Sequence, residues 1–522
     1  MKQKIKKVLF ILILTLLSSL PIFFKDNAIV QGHDINFHLK RILGVVDNIN
    51  ILKTSPIYYN YLNHFGYGNG LFYPDIFLYI PAILYKLGIS IINSYKIFIF
   101  IINILSIISI KVCLKHITKN ENATKIGMIL YATSLYRFTD MYLRGALGES
   151  LTFIFLPLII IGLYKIFYDN YKEGYYLTIG LVGIMLSHII TLYLIIYFII
   201  AFTIINYKCL KNKKRLIEFI IHISFSMLIT SFFWLPMLEQ LLTDEFNLKN
   251  NMMIFENCVP FWHLIIDFEE YTDIAWFPPG IGLIYFIITP TLIKTNKKND
   301  FINSIFLLGI GSVILSSLKT LWNIQLLYKL LSIIQFPWRL QCISTICLII
   351  VTCYFLKNVK YNKIKIISVM YTIVLFVTNC VLIFPLSSTD NSLKEDEIMF
   401  GEYLPIELKD NYKDVIYNYE NENIKYKYEN NKLNVEIIKE KGEIELPLIY
   451  YKGYIAKSND KNLKINKSKN GLISVKTNDD IKKITVSYKG TTIKRIGEII
   501  TKLSILIYYF FIKNIYKEKN TN

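Results

Sequence analysis

Long runs of apolar residues constrain this chain more than any other feature of its sequence. Of its 522 residues, 53% are hydrophobic and the mean hydropathy is +0.40, which excludes an ordinary soluble domain. A helix that crosses a bilayer needs about 20 mostly apolar residues. Twelve segments approach this requirement, at residues 8–24, 91–112, 126–140, 150–168, 175–190, 191–206, 216–236, 276–293, 300–318, 339–356, 366–385 and 497–512. The sequence therefore predicts an α-helical polytopic membrane protein with about twelve transmembrane helices.

Clusters of Lys and Arg predict how these segments are threaded, because short basic loops are retained in the cytoplasm. All six clusters fall on one side, at residues 2–7, 111–125, 208–215, 294–298, 357–365 and 513–519. We therefore expect both termini in the cytoplasm of a bacterial cell, with the first apolar run retained as a helix. The proline-interrupted segment 72–87 predicts a partly inserted helix, and 175–206 predicts a tight helical hairpin that turns near His188.

One large segment, residues 386–495, is not membranous. It contains short alternating runs separated by Asn, Lys, Asp and Gly, which is typical of an antiparallel β domain. The expected strands are Ile424–Tyr428, Leu433–Ile438, Glu445–Tyr451, Leu472–Lys476 and Ile484–Tyr488. The predicted organisation is a transmembrane domain at 1–385 with surface helices in an outer loop at 25–72, a small extracytoplasmic β-sandwich at 386–495, and a last helix with a basic tail at 496–522.

Charge and cysteine content add little to this scheme. The net charge of +19 comes from Lys residues spread through the loops, so it indicates topology rather than nucleic-acid binding. The seven cysteines show no metal-type spacing and no disulfide framework. Neither a GxxxxGK[ST] nor a GxGxxG phosphate-binding motif occurs.

The first candidate for a functional site follows the first helix, in the string GHDINFHLKR at 32–41. If a helix begins at Asp34, then Asp34, His38 and Arg41 share one face of an amphipathic helix that lies on the membrane. A carboxylate, an imidazole and a guanidinium would then be presented together. The alternative is an interfacial helix with Asp34 as its N-cap.

The second candidate is the outer connection at 136–149, which carries two arginines and two carboxylates: Arg137, Asp140, Arg144 and Glu149. Arginine forks suit phosphate oxygens, and an anion such as Glu149 is favoured at a helix N-terminus. The alternative is a set of ordinary interfacial salt bridges. Weaker candidates are His188, which as a single intramembrane histidine is more often a packing residue, Arg339 in the string QFPWR, and the string YPD at 73–75.

These strings together resemble those of bacterial membrane proteins labelled 6-pyruvoyl-tetrahydropterin synthase-related, and more broadly the polytopic glycosyltransferases of the GT-C type. The resemblance covers nearly the whole chain and is carried by the order of GHDINFHLKRI, FYPD, RFTDMYLRGALGES, LSHI, FFWLP, IQFPWR, EYLP, LPLIYYKGY and VSYKGT. The pterin enzyme itself is a soluble zinc protein, and the sequence shows no outer His cluster that would match its site. The GT-C resemblance implies a catalytic carboxylate in the first outer loop, the place of Asp34, and a sugar donor carried on a polyprenyl phosphate. The single Asp departs from the paired acids of some relatives, so the resemblance does not decide whether a divalent cation is required.

The resulting hypothesis is a membrane glycosyltransferase that acts on the outer face of the cytoplasmic membrane. Asp34 would serve as general base toward an envelope glycan, lipid or protein acceptor, while Arg137, Arg144 and Arg339 would neutralise the leaving lipid phosphate. His38, Arg41, Asp140, Glu149 and His188 would position the substrates. Two alternatives stay open: a non-catalytic protein for envelope assembly, and a lipid or glycan transporter, although no internal repeat is evident.

Overall fold

The computed structural model describes residues 2–30, 32–50, 55–248, 258, 299–357, 362–384, 387–388, 401–439 and 442–521. Most of the described chain is helical. Its α-helices are Lys2–Ser18, Ile35–Asn50, Asn69–Phe72, Tyr79–Lys86, Ile91–Thr118, Glu121–Ala132, Leu135–Phe138, Leu147–Tyr168, Tyr175–Met185, Ile189–Ile205, Lys213–Ile229, Ser231–Thr243, Asp300–Ser317, Gln325–Leu331, Gln341–Leu356, Asn362–Ile383, Tyr412–Tyr417 and Thr492–Thr521. A π-helical turn, Thr139–Arg144, connects two of them.

The number of membrane spans falls below the expected twelve. Among the described residues, four stretches are long and apolar enough to cross a bilayer: Ile91–Thr118, Leu147–Tyr168, Asp300–Ser317 and Pro337–Leu356. A pair of helices bent by 70°, Lys213–Ile229 and Ser231–Thr243, would make a fifth. Twelve spans are therefore not confirmed, because several apolar segments fold as shorter helices, and the expected span at 276–293 lies outside the described residues.

Polar caps explain where several of these helices begin. The Ser90 hydroxyl accepts a hydrogen bond from the Asn93 amide at the start of Ile91–Thr118. His188 follows the end of the preceding helix and caps Ile189–Ile205, because its Nδ1 accepts the Thr191 amide at 3.3 Å. Each cap satisfies one of the amides that the first helical turn leaves unpaired. The chain therefore breaks at His188, the position where the sequence predicts a turn.

The expected β-sheet region is confirmed near the C-terminus. A five-stranded antiparallel sheet and a three-stranded antiparallel sheet share one hydrophobic core. The first sheet has the strand order Ile424–Glu429, Lys432–Ile437, Lys483–Tyr488, Tyr454–Ser458 and Lys461–Leu463, and the second has the order Gly442–Ile449, Leu472–Thr477 and Ile465–Lys467. The alternating pattern predicts five of these strands; the three at 454–467 are short or poorly alternating and are missed.

A segment that follows the helix Ile35–Asn50 completes the core of this β domain. We call residues 57–72 the docking loop. Ile57, Leu62 and Phe65 are fully buried in the same cluster as strand residues such as Leu433. The backbone is joined as well, since the Ile449 amide donates to the Phe65 carbonyl at 3.0 Å. The β domain is therefore built from two distant parts of the chain, and the helix Ser231–Thr243 contacts it through Gln240, whose side chain donates to the Lys452 carbonyl at 2.6 Å.

Candidate functional site

The segment that precedes the helix Ile35–Asn50 meets the connection at 139–149 backbone to backbone. Asp34 immediately precedes the helix Ile35–Asn50, and its carbonyl accepts the His38 amide at 3.0 Å, so it occupies the N-cap position. The Asp34 amide donates to the Arg144 carbonyl at 2.9 Å. A Cβ atom on Gly32 would lie 2.2 Å from the Leu143 carbonyl oxygen. Only glycine allows this close approach, which brings the Asp34 side chain beside Arg144.

Arg144 forms the centre of the site. Its Nη1 donates to Asp140 and, at 3.0 Å, to Glu149, while its Nη2 reaches the Asp34 carboxylate at 3.4 Å. The guanidinium also lies over the Trp338 ring, 4.3 Å from its centroid. Gly145, with a φ of +66°, turns the chain back after Arg144 so that Glu149 can return to it. One arginine therefore joins three acids from two separate segments.

The three acids differ in exposure. The Asp140 and Glu149 side chains are 0% and 1% exposed, whereas that of Asp34 is 28% exposed. Glu149 is further held by Tyr136, whose hydroxyl donates to it, and by Arg339, whose Nε lies 3.5 Å away. Of the three carboxylates around Arg144, Asp34 is thus the one that a molecule arriving from outside can reach.

Arg339 reaches the site from a segment that is distant in the sequence. Its Nη1 donates to the Ile334 carbonyl at 2.9 Å and to the Gln335 side chain at 2.7 Å, which fixes the guanidinium next to Glu149. Gln335 adopts a φ of +65°, which turns the chain before the helical segment that contains Trp338. The site therefore holds two guanidinium groups within one network of carboxylates.

Arg41 belongs to a neighbouring network and not to the Arg144 cluster. It donates to Asp75 at 2.9 Å and to the Pro74 carbonyl at 2.8 Å, and it lies 3.8 Å from the centre of the Tyr73 ring. Asp75 also accepts the Tyr58 hydroxyl at 2.7 Å. The charge of Arg41 is thus paired within the protein, and Arg41 joins the helix Ile35–Asn50 to the segment that follows the docking loop.

His38 and His188 flank the ring of Tyr73, with centroid separations of 6.1 and 6.0 Å. Both histidines are buried, and His38 lies 3.3 Å from Arg41. The Tyr73 hydroxyl packs so closely on Gly148 that a Cβ there would lie 1.9 Å away. This aromatic row therefore lies against the first turn of the helix that carries Glu149.

Arg137 is not brought into the site. It is buried, donates to the Tyr131 carbonyl and to the Asn103 side chain at 3.0 Å, and packs on the Tyr131 ring. The geometry thus gives Arg137 a role in packing and places it apart from the carboxylates. Its assignment as a phosphate ligand stays a prediction that these contacts do not support.

Three contributors escape the sequence reasoning: Tyr136 as a partner of Glu149, Trp338 as a platform for Arg144, and Asp75 as the counter-ion of Arg41. All three lie inside strings that the sequence singles out: Tyr136 in 136–149, Trp338 in QFPWR and Asp75 in YPD. Their partners could not be named from the sequence, because each contact depends on how distant segments pack together.

The described part of the chain holds no group of three or more His, Cys, Asp or Glu side chains arranged to bind a metal ion. The carboxylates around Arg144 are engaged by guanidinium groups. The arrangement offers one accessible carboxylate that can accept a proton beside two cations that can stabilise an anion.

Known proteins are similar to this chain over part of its length. An uncharacterized protein of Lactococcus lactis subsp. cremoris (strain MG1363) is 24% identical over 334 residues, which cover 58% of this chain and 53% of that protein. This chain thus spans about half the length of the curated relative. The arabinofuranosyltransferase AftD from mycobacteria matches with a TM-score of 0.44 and 11% identity, over 71% of this chain and 27% of that one. Residues 60–408 match the family described as bacterial membrane protein YfhO. None of these descriptions carries the pterin enzyme's name, and the chain belongs to the YfhO family of bacterial membrane proteins.

Proposed function

We propose that this protein is a membrane glycosyltransferase that uses a polyprenyl-phosphate-linked sugar on the outer face of the cytoplasmic membrane. The observation that carries the proposal is the contact of Asp34 with Arg144. A carboxylate that is 28% exposed is held beside a guanidinium that two buried acids already orient. Proton abstraction and stabilisation of a leaving phosphate need such a pair.

In the proposed reaction, Asp34 takes the proton from an acceptor hydroxyl. The hydroxyl oxygen forms a bond to the anomeric carbon while the bond from that carbon to the phosphate oxygen breaks. The electron pair leaves with the polyprenyl phosphate, whose growing charge Arg144 and Arg339 offset. Attack from the face opposite the leaving group inverts the anomeric centre.

A lipid-linked donor is supported by the segment that precedes Arg339. Exposed apolar side chains project from it, including Ile324, Leu326, Leu330 and Ile333. Such a surface suits the hydrocarbon of a membrane. A polyprenyl chain lying along it would bring its phosphate to the end of the segment, where Arg339 and Trp338 join the Arg144 cluster.

The proposed sidedness is supported by the helix Leu147–Tyr168. Glu149 lies at its start, and just past its end Arg215, from the basic cluster 208–215, donates to the Asp169 carbonyl at 3.1 Å. The helical residues from Glu149 to the end of the helix span about 28 Å, so this basic cluster and the site lie at opposite membrane faces. Since basic residues are retained in the cytoplasm, the site and β domain face outward and both termini face inward.

The test is sugar transfer by the purified full chain in lipid nanodiscs, with a panel of polyprenyl-phosphate sugars and envelope acceptors. Asp34→Asn keeps the shape and removes the base, so transfer should fall by roughly 10²–10⁴. Asp26→Asn is the matched control, since Asp26 is an exposed acid in the same outer loop. Equal transfer by wild type and Asp34→Asn removes Asp34 from catalysis, and absence of transfer with every donor favours a non-catalytic assembly protein.

A further inference from the structure

A second cleft lies on the outer side of the protein, away from Asp34. It has a volume of about 260 Å³ and lies between the end of the helix Ile35–Asn50, the docking loop and the turn at 429–432 of the β domain. Its lining includes two aromatic rings, one amide and three charged groups: Tyr428, His64, Asn60, Asp47, Glu429 and Lys432. Residues from three distant parts of the chain therefore converge on one surface depression.

An aromatic pair forms one wall of this cleft. The exposed His64 ring stacks on Tyr428, with centroids 5.3 Å apart and planes inclined by 29°. Tyr428 is fixed from behind, because its hydroxyl donates to the Pro447 carbonyl. The pair therefore presents a flat, rigid ring surface to solvent.

Unusual backbone geometry holds His64 in place. Leu62, Asn63 and His64 all have positive φ, at 57°, 52° and 65°. Three consecutive residues other than glycine in the left-handed region are costly, and such conformations persist where surrounding structure enforces them, often at functional sites. Here Leu62 and Phe65 are fully buried on either side, which enforces the bend and projects His64 from the surface.

The cleft and the proposed catalytic site lie along the same helix. Asp47 belongs to the same helix that begins after Asp34, thirteen residues further along. At 1.5 Å per residue, the two positions lie about 20 Å apart along the helix axis. A ligand long enough to contact both sites would therefore have to be a polymer or an extended chain.

We propose that this cleft binds a distal part of an oligosaccharide acceptor whose reacting end lies at Asp34. A sugar ring offers an apolar face for an aromatic ring and hydroxyl groups for carboxylate and amide side chains. Glu429 is paired with Lys427 at 2.5 Å, and the lining carries two carboxylates, Asp47 and Glu429, against one cation, Lys432, so a neutral glycan fits better than a polyanion. The inference deepens the proposed function. The role of the glycan as acceptor rests on that proposed function, whereas the binding of a glycan in this cleft is independent of it.

The test measures binding of neutral hexaoses of glucose, mannose, galactose and N-acetylglucosamine to the full chain in nanodiscs, with a galacturonic acid hexamer as the anionic comparison. His64→Asn removes the ring and keeps a residue that tolerates positive φ. Glu429→Gln removes a charge in nearly the same shape. Each should weaken binding of the neutral ligand by about 3- to 10-fold. Lys425→Ala is the control, because Lys425 is exposed on the same strand but outside the cleft.

Binding of a neutral hexaose that His64→Asn and Glu429→Gln weaken and Lys425→Ala leaves unchanged supports the proposal. It is overturned if no neutral hexaose binds to the wild type, if the anionic hexamer binds more tightly, or if His64→Asn binds as the wild type does. Asp34→Asn separates the two proposals, since it should lower transfer by roughly 10²–10⁴ and leave this binding intact. Where transfer is measurable, His64→Asn should raise KM for long acceptors and leave kcat and the KM of a monosaccharide acceptor unchanged.

Discussion

Arg144 binds Asp34, Asp140 and Glu149 through the two terminal nitrogens of one guanidinium. This geometry requires a planar fork, which a lysine ammonium cannot reproduce. Arg144→Lys should therefore lower transfer by roughly 10²–10³, with a weaker apparent affinity for the lipid donor. The measurement is kcat and KM with varied donor concentration in nanodiscs.

Arg137→Lys provides the matched control, because Arg137 is also a buried arginine but contacts Tyr131 and Asn103 and none of the described carboxylates. It should lower thermal stability while transfer per folded molecule stays close to the wild type. Similar losses of transfer in both variants would mean that burial, and not contact with the acids, determines the effect.

Gly32 gives a test of the backbone junction. A methyl group at this position would meet the Leu143 carbonyl oxygen at 2.2 Å and the Arg144 carbonyl carbon at 2.6 Å, neither of which can move alone. Gly32→Ala should displace Asp34 from Arg144 and reduce transfer by about 10²-fold, because misplacement by about 1 Å has that cost. Gly311→Ala is the control, since nothing lies within 4 Å of its added carbon. Full activity of Gly32→Ala would show that the junction does not position the base.

His33 provides a pH test. Burial lowers the pKa of the His33 imidazole, as does Arg144, while Asp34 opposes them. A histidine whose pKa is lower in the folded state takes up its proton more readily on unfolding, so its contribution to stability is present above about pH 6.5 and is lost as the pH falls toward the folded-state pKa. Between pH 7 and pH 5, wild type should lose more thermal stability than His33→Gln. If both proteins lose the same thermal stability between pH 7 and pH 5, His33 does not contribute to the pH dependence of stability.

At the scale of elements, the docking loop should stabilise the β domain. The Phe65 side chain is fully buried in the core that the loop shares with the two sheets. Phe65→Ala should cost about 3–5 kcal/mol of stability in that domain, because it leaves a cavity. Limited proteolysis of residues 401–490 should then become faster than in the wild type. Ile438→Ala, at a side chain that is 46% exposed, should change the rate little.

Local patterns predict several elements well and their partners poorly. The N-terminus of the helix after Asp34, the break at His188 and five of the β strands follow from capping residues and alternation, which depend on neighbours in sequence. The meeting of 32–41 with 137–149 is also expected, since both segments are placed outside. The pairing of Arg41 with Asp75 and the insertion of the docking loop into the β domain are not, because they depend on which distant surfaces pack together.

For the whole molecule, the prediction concerns sidedness. Asn60→Cys and Lys425→Cys, both at exposed positions on the β side, should react with a membrane-impermeant maleimide in intact cells. Lys213→Cys, exposed at the basic start of a helix, should react only after permeabilisation. Cys209 is first replaced by Ser, since it is partly accessible near that position. Labelling of Lys213→Cys from outside would reverse the proposed orientation of the site.

The hydrogen bond between Ile449 and Phe65 has a consequence for biosynthesis. The docking loop leaves the ribosome early, whereas the strands that cover it are translated only after most of the helices have been inserted. During that interval its buried aromatic residues have no core to enter and are exposed to chaperones and proteases. A nascent chain that stops before residue 401 should therefore be cleaved by proteases in the docking loop. The whole protein should become resistant to that cleavage only when the β domain is complete.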